Sequence, residues 1–214
     1  MNFNMLTCSV AALSLSAGAA LAQYSNNFNV GPIGPEWSNP VAETAPGGER
    51  FLGGFVAGTV TLNLGVQPAG IYTIDFDFYG IRSLDGNGPA GGGPDPFAFA
   101  MNTAQYALTN FDNFGTSGQM YPSLSAPANN AAGTGAIALN SLGYTFGGAV
   151  FADSIYHLSH TGLHTGGVLT FEFTSFQNQG YGDEGWGLDN VVVIPTPGAA
   201  ALLIGAGLLS RRRR

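Results

Sequence analysis

Apolar and polar side chains alternate every second residue over several stretches of this 214-residue chain. The clearest stretch covers residues 71–79, where Tyr72, Ile74, Phe76 and Phe78 fall on one face and polar residues fall on the other. A period of two is the geometry of a β-strand that buries one face and leaves the other in solvent. This pattern predicts an all-β fold.

The composition supplies both the turns and the core that such a fold needs. The sequence has 33 glycines and 12 prolines for turns, and 15 phenylalanines and 8 tyrosines to fill a core. We therefore expect a two-sheet antiparallel β-sandwich, jelly-roll or lectin-like, over residues 23–194. An opening strand is expected within residues 24–37, and the other predicted strands are 49–53, 56–64, 71–79, 97–102, 105–109, 136–139, 144–146, 154–159, 168–176 and 186–194.

The last two predicted strands are separated by a glycine-rich acidic run at residues 180–185. Glycine adopts positive φ at low cost, so we expect this run to join the two strands as a hairpin. Two interpretations of its polar residues stay open: solvated turn acids with an Asx turn, or oxygen ligands that share a cation. The residues concerned are Asp183, Glu184, Asp189 and Asn190.

A second acidic group lies in the long loop 84–96. Asp85 and Asn87 are spaced like the first ligands of a calcium loop, and Asp95 lies near the loop's end. Pro89 occupies the third ligand position and no glutamate closes the loop, so the EF-hand pattern is excluded. A looser calcium site remains as a hypothesis, with candidate ligands Asp85, Asn87, Asp95, Asp183 and Glu184.

Aromatic residues next to these acids suggest a sugar-binding surface. Tyr181 and Trp186 offer flat rings on which a sugar could stack, although burial in the core is the alternative for Trp186. We name no catalytic residue, because the sequence has no G-x-S-x-G elbow and no phosphate loop.

Carboxylates could still form a glycosidase pair if two of them lay roughly 5–10 Å apart in an open groove. A solvated sheet face is the alternative for those that share a strand. The candidates are Asp75, Asp77, Asp183 and Glu184.

Charge is distributed unevenly along the chain. There is no lysine, and apart from the four C-terminal arginines the only basic residues besides histidine are Arg50 and Arg82. All 13 acidic residues lie between Glu36 and Asp189, so this part of the chain carries a net charge of −11. Nucleic acid needs basic residues to neutralise its phosphates, so the charge argues against it as a partner. An acidic surface instead attracts divalent cations.

The N-terminal 22 residues have the features of a secretory signal peptide. A run of small apolar residues ends in Ala20-Leu21-Ala22 before Gln23, which matches the small-residue cleavage signature. We expect signal peptidase to remove residues 1–22 and the protein to be exported. The chain's single cysteine, Cys8, lies in this segment, so the mature protein would contain no disulfide.

The C-terminal segment, residues 195–214, has three parts: a Pro-Thr-Pro motif, an apolar run at 198–209 and four arginines. This layout resembles the PEP-CTERM sorting signal of exported bacterial proteins, whose middle motif residue is typically glutamate rather than threonine. The resemblance implies a short apolar helix, transient membrane anchoring, processing by an exosortase-type sorting protease, and delivery to the cell surface or extracellular matrix. The residues that carry it are Pro195, Thr196, Pro197, Arg211, Arg212, Arg213 and Arg214.

The body of the chain is similar to the β-sandwich ectodomains that such proteins carry, through the Asp85-Gly86-Asn87 loop with Pro94-Asp95 and through the acidic run that begins at Asp183. The sequence therefore predicts an exported, non-enzymatic surface or matrix protein that acts in adhesion or exopolysaccharide interaction. A calcium-dependent carbohydrate-binding module is the alternative, and a glycoside hydrolase is a third interpretation.

Overall fold

A computed structural model describes residues 22–88 and 92–196, and all regular structure in these ranges is β. The predicted signal helix and the predicted C-terminal helix lie outside the described residues. Among the residues described, no helix is long and apolar enough to cross a membrane. The strands are β1 (Tyr24–Asn26), β2 (Ala42–Thr44), β3 (Arg50–Phe55), β4 (Gly58–Gln67), β5 (Gly70–Arg82), β6 (Pro96–Met101), β7 (Ala104–Asn110), β8 (Ala138–Leu139), β9 (Asp153–His164), β10 (Gly167–Ser175) and β11 (Glu184–Pro195).

The strands form two antiparallel sheets, as predicted. The larger sheet has seven strands in the order β2-β3-β11-β5-β9-β8, with β1 also paired to β11. The smaller sheet has the order β4-β10-β6-β7. The eight longer strands are thus divided into the groups β3-β11-β5-β9 and β4-β10-β6-β7, which agrees with the winding of a jelly roll.

Phenylalanines from the inner faces of both sheets form the main core. Phe78 of β5 packs on Phe97 of β6 with ring centroids 4.6 Å apart, and Phe76 meets Phe173 of β10 at 5.0 Å. These rings come from the apolar faces that the alternation predicts, and burial of such large side chains supplies the dominant favourable term in folding.

The outer face of the larger sheet carries a second apolar cluster. Phe51 and Tyr79 pack there, with ring centroids 5.0 Å apart, beneath a loop that contributes Leu142 and Tyr144. The backbone N–H groups of Leu142 and Tyr144 donate to the buried carboxylate of Asp153, at 3.0 and 3.2 Å. The short strand predicted to begin at Tyr144 is therefore wrong, because the side chain of Asp153 takes these hydrogen bonds instead of a neighbouring strand.

The predicted hairpin between the last two strands is also wrong. Strand β10 pairs with β4 and β6, whereas β11 pairs with β5, β3 and β1. Residues 176–183 therefore cross from one sheet to the other, and the glycines that permit a reversal permit this crossing equally well. The loop from β5 to β6 makes a second crossing at the same end of the sandwich, since Glu184 lies opposite Arg82. These two crossings bring the acidic segments together.

Candidate cation site and adjoining pocket

Three carboxylates from the two crossings meet at this end of the sandwich. Asp85 lies just after β5, Asp95 lies just before β6, and Glu184 is the first residue of β11. One carboxylate oxygen from each lies within 4.8 Å of those from the other two. The backbone N–H of Asp85 also donates to Oδ2 of Asp95 at 2.7 Å, which holds the two ends of the loop together.

Several oxygens of this cluster are buried with little compensation. Glu184 is 0% exposed and Asp95 is 3% exposed. Within residues 22–88 and 92–196, no donor group lies in ordinary hydrogen-bond geometry to either side-chain oxygen of Glu184 or to Oδ1 of Asp95. The only compensation there is a proton that the Glu184 and Asp95 carboxyls can share. Burying a polar group without a partner costs free energy, and burying a charge costs far more. The cluster is therefore arranged as a site that a ligand would complete.

The pKa values of the three carboxyls also favour a bound cation. Burial, together with the charges of Asp95 and Asp85, raises the pKa of Glu184 to about 9. Burial and neighbouring carboxylates also raise the pKa of Asp85 to about 6, and burial raises the pKa of Asp95. Three facing carboxylates repel one another, so a cation placed between them would be held strongly.

The donor set suits a hard cation. All three groups offer oxygen, which calcium and magnesium prefer, whereas zinc prefers nitrogen and sulfur. Ligands on opposite sides of a calcium ion are separated by about 5 Å, and those of magnesium by about 4 Å. The carboxylate oxygens all lie within 4.8 Å of one another, so they are close enough to hold either ion. Gln179 is a further candidate ligand, because its buried Oε1 has no hydrogen-bond partner in the described part of the chain.

Glycines let the loop pass close to Asp85. A Cβ placed on Gly92 would lie 2.5 Å from Oδ2 of Asp85, and one on Gly88 would lie 2.8 Å from the Asp85 carbonyl oxygen. No side chain fits there without moving the carboxylate. From the sequence alone, Gly88 and Gly92 could be interpreted only as loop residues, so their role in placing Asp85 was missed.

An open pocket of about 380 Å³ adjoins the carboxylate cluster and shares Asp85 with it. Two phenylalanines of the long loops, Phe114 and Phe146, contribute rings to its wall. Apolar rings beside a few convergent polar groups are typical of small-molecule sites. The polar groups in this wall include Ser83, Ser117, Gln179 and Asp183.

The other two predicted ligands lie near the cluster but outside it. Asn87 accepts a hydrogen bond at Oδ1 from Asn110, at 2.9 Å, and donates from Nδ2 to the carbonyl of Ala128, also at 2.9 Å. Its amide therefore faces the neighbouring loop, and the structure does not bring it to the carboxylates. Asp183 accepts a hydrogen bond from the Ser83 hydroxyl and lines the pocket wall.

Of the two predicted sugar-stacking residues, Trp186 is covered by the protein and Tyr181 is half-buried. Trp186 is 0% exposed, and its indole N–H donates to the carbonyl of Val56 at 2.7 Å. Its assignment as a ligand-binding residue is therefore corrected to a core residue. Tyr181 has the guanidinium of Arg82 over its ring, 4.7 Å from the centroid, and packs against Gly185. Phe114 and Phe146 line the pocket instead, in loops without a periodic pattern that could have revealed them.

The carboxylates considered for hydrolysis fall into two separate groups. Oδ1 of Asp77 lies 2.8 Å from the ring nitrogen of His157, on the outer face of the larger sheet. Asp77 is opposite Asp189, five residues along β11 from Glu184, which is roughly 17 Å at the rise of a strand. Pairing Asp77 with Glu184 therefore cannot give the separation of roughly 5–10 Å that a glycosidase requires.

Comparisons with known proteins give only weak structural likenesses. No family model and no curated protein matches the sequence. Among solved structures, the chain is similar to the carbohydrate-binding module CBM6cm-2 from Cellvibrio mixtus lichenase 5A in complex with cellotriose, with a TM-score of 0.36 and 14% identity over 82% of this chain and 99% of that chain. A family 35 carbohydrate-binding module from Clostridium thermocellum gives a TM-score of 0.32 and 14% identity over 73% of this chain and 88% of that one.

The dimeric latent PorU from Porphyromonas gingivalis gives a TM-score of 0.38 and 12% identity. That match covers 85% of this chain but only 13% of PorU. Likenesses at this level carry no argument about the fold or the ligand of this chain.

Proposed function

We propose that this protein binds polysaccharide, without catalysis, in a pocket organised by a calcium ion held by Asp85, Asp95 and Glu184. The observation that carries the proposal is the set of buried carboxylate oxygens without partners among the described residues, beside an open pocket. The geometry therefore favours the carbohydrate-binding alternative within the broader hypothesis of an exported surface protein.

A calcium ion would neutralise the buried carboxylates of the cluster. Glu184 and Asp95 are nine-tenths or more buried, and their oxygens approach those of Asp85. Without an ion, the cluster must either keep a proton or accept the repulsion of like charges in a region of low dielectric. An ion of charge +2 removes both costs, and water from the open pocket can fill coordination positions that the protein does not.

The same ion would set the shape of the pocket. It would tie the loop between β5 and β6 to the beginning of β11, which the crossing 176–183 delivers to this end. Asp85 belongs to both the cluster and the pocket wall, and Gln179 lies in that wall as well. Removing the ion would release Asp85 toward the pocket, so sugar binding should depend on calcium.

The wall of the pocket suits a carbohydrate. The rings of Phe114 and Phe146 can pack on the apolar faces of sugar rings, and the hydroxyl, amide and carboxylate groups around them can bond sugar hydroxyls. Residues 36–189 carry a net charge of −11, which repels an anionic polysaccharide unless its charged groups bind the calcium ion directly. A neutral polysaccharide is therefore the ligand class that we propose.

The cellular location in this proposal rests on the two ends of the sequence. Residues 1–22 support export, and residues 195–214 support retention at the membrane followed by delivery to the surface or matrix. A surface location would give the pocket access to polysaccharides outside the cell.

The test is affinity electrophoresis of the full chain through gels that contain bacterial or algal polysaccharides, with calcium or with a chelator. We expect at least one polymer to retard the protein in calcium, and the chelator to abolish the retardation. Phe146→Ala should weaken binding by about fivefold, because an aromatic contact contributes about 1 kcal/mol.

Phe176→Ala is the matched control, since Phe176 is 54% exposed but does not line the pocket. It should run like the wild type. Equal mobility in every gel, with and without calcium, would contradict the proposal and favour a structural matrix protein.

A further inference from the structure

The end of the sandwich opposite the carboxylate cluster carries exposed aliphatic side chains. Val66 is 79% exposed, Leu163 is 66%, Val168 is 52% and Ile71 is 40%. They form two register pairs, with Ile71 opposite Leu163 in the larger sheet and Val66 opposite Val168 in the smaller sheet. We call these four residues the apolar collar.

One pair of the apolar collar lies on the outer face of each sheet. Tyr72 points into the core and is 2% exposed, so Ile71 before it points outward from the larger sheet. Leu169 is 0% exposed, so Val168 before it points outward from the smaller sheet. The two pairs therefore flank the short connections β4–β5 and β9–β10, which cross between the sheets at this end.

The strands and connections that the structure describes at this end also lack charge. Residues 62–74 and 158–171 contain no aspartate, glutamate, lysine or arginine. The part of the chain that holds all the acidic residues nevertheless carries a net charge of −11. Pairs of exposed aliphatic side chains in a surface without charged groups suit a contact with something apolar.

The described chain ends at the apolar collar. The N–H of Thr196 donates to the carbonyl of Ile71 at 2.8 Å, and Pro195 lies opposite Tyr72. The apolar sequence 198–209 begins two residues later. At about 3.5 Å per residue of extended chain, that sequence starts within about 7 Å of Thr196.

We propose that the apolar collar contacts a lipid bilayer, with the two connections at the level of the headgroups. Contact through this end would also keep the acidic residues of the protein away from anionic headgroups, which repel them. Aliphatic side chains that enter the interface gain free energy in proportion to the apolar area buried.

This contact would fix the orientation of the whole protein. Strand β5 runs from Gly70 beside the apolar collar to Arg82 beside the carboxylate cluster, a length of about 40 Å. The pocket would therefore open away from the bilayer. The proposal does not depend on the cation site or on polysaccharide binding.

The test attaches an environment-sensitive fluorophore to single cysteines in the full chain, with Cys8→Ser to remove the native thiol. The variants are Leu163→Cys for one face and Val66→Cys for the other. Val150→Cys is the matched control, because Val150 is 58% exposed and lies beside Phe114 at the pocket end. The vesicles contain phosphatidylethanolamine and phosphatidylglycerol, with or without a quencher attached to the acyl chains.

We expect vesicles to shift the emission to shorter wavelength at positions 163 and 66, and the quencher to reduce it at both. Position 150 should show neither change. Solvent-like emission at both collar positions in the presence of vesicles would overturn the proposal. A shift at only one of them, already present without vesicles, would also overturn it and would indicate that another part of the chain covers that face.

Discussion

At the scale of single residues, Glu184 shows how burial and charge combine to define a site. It is 0% exposed, it faces two other carboxyls, and its oxygens have no partner within residues 22–88 and 92–196. A folded protein keeps so unfavourable a group only where something compensates it. In the proposed site a calcium ion would do so, with Asp85 and Asp95 as its other protein ligands.

Gly92 provides a test that leaves all three carboxylates in place. A Cβ at this position would lie 2.5 Å from Oδ2 of Asp85, so Gly92→Ala should displace that carboxylate and lower calcium affinity by at least about tenfold. Calcium titration calorimetry measures the change. Gly182→Ala is the control, since a Cβ there meets no atom of the described chain within 4 Å. Equal affinities for the two variants would show that Asp85 is not a ligand.

Asp189 predicts a pH dependence of stability that is separate from the cation site. It is buried, and its Oδ2 accepts a hydrogen bond from the Tyr79 hydroxyl at 2.8 Å. Burial raises its pKa from 3.8 to about 6, so the folded state holds the proton more tightly than the unfolded state. Its contribution to stability is therefore fully present below about pH 4 and is lost as the pH rises to about 6.

The variant Asp189→Asn should remove this loss, which is at most about 3 kcal/mol, since one pKa unit corresponds to about 1.4 kcal/mol. Urea unfolding of the wild type and the variant between about pH 4 and about pH 7 measures the difference. The other carboxyls with raised pKa values act in the same direction in both proteins, so the comparison isolates Asp189. A constant difference across this range would refute the assignment.

At the scale of strands and loops, alternation in the sequence reports which residues face the core. It predicted the strands that became β4, β5, β6, β7 and β10, and the faces of Phe76 and Phe173. Alternation does not report which strand pairs with which, because pairing depends on contacts between distant parts of the chain. The hairpin predicted before Glu184 was wrong for this reason.

The candidate site was predictable only in part. Acidic residues in glycine-rich loops drew attention to Asp85, Asp95 and Glu184, and the structure brings these three together. Asn87 shares their loop chemistry but bonds to another loop. Phe114 and Phe146 could not be found from the sequence, because their loops have no period and their positions depend on side-chain hydrogen bonds to distant residues.

The place of Trp186 within β11 gives a prediction about a strand rather than a ligand. Trp186→Phe should destabilise the fold by about 1–3 kcal/mol, because it leaves the carbonyl of Val56 without its indole donor. The folded variant should bind polysaccharide like the wild type. Chemical denaturation and affinity electrophoresis measure the two properties, and weakened binding with unchanged stability would restore Trp186 as a ligand-binding residue.

At the scale of the whole molecule, the two ends of the sandwich have different chemistry. One end brings together two loop crossings, three carboxylates and a pocket, and the strands and connections described at the other end carry exposed aliphatic side chains and no charge. Calcium at the first end would link the loop after β5 to β11, which are parts of one cooperative unit. Binding at that end should therefore raise the stability of the entire domain.

The predicted stabilisation is about 2.7 kcal/mol when calcium exceeds its dissociation constant a hundredfold, which raises the unfolding temperature by about 5–10 °C. Thermal unfolding with calcium, with magnesium and with a chelator measures it. Magnesium should stabilise less, because it requires near-ideal octahedral geometry and gives up its bound water reluctantly. Leu163→Ser, at the opposite end, should show the full calcium effect, and a reduced effect there would mean that the ends are not independent.

The most direct test of the cation site is calcium binding to the full chain, measured by titration calorimetry on the wild type, Glu184→Gln and Glu172→Gln. Both variants replace one glutamate carboxyl by an amide of nearly the same size, but Glu172 is half-buried on β10 and is not part of the carboxylate cluster. The wild type and Glu172→Gln should bind one calcium ion, and Glu184→Gln should lose at least about a hundredfold in affinity. Absence of binding by the wild type, or equal affinity in all three proteins, would contradict the site.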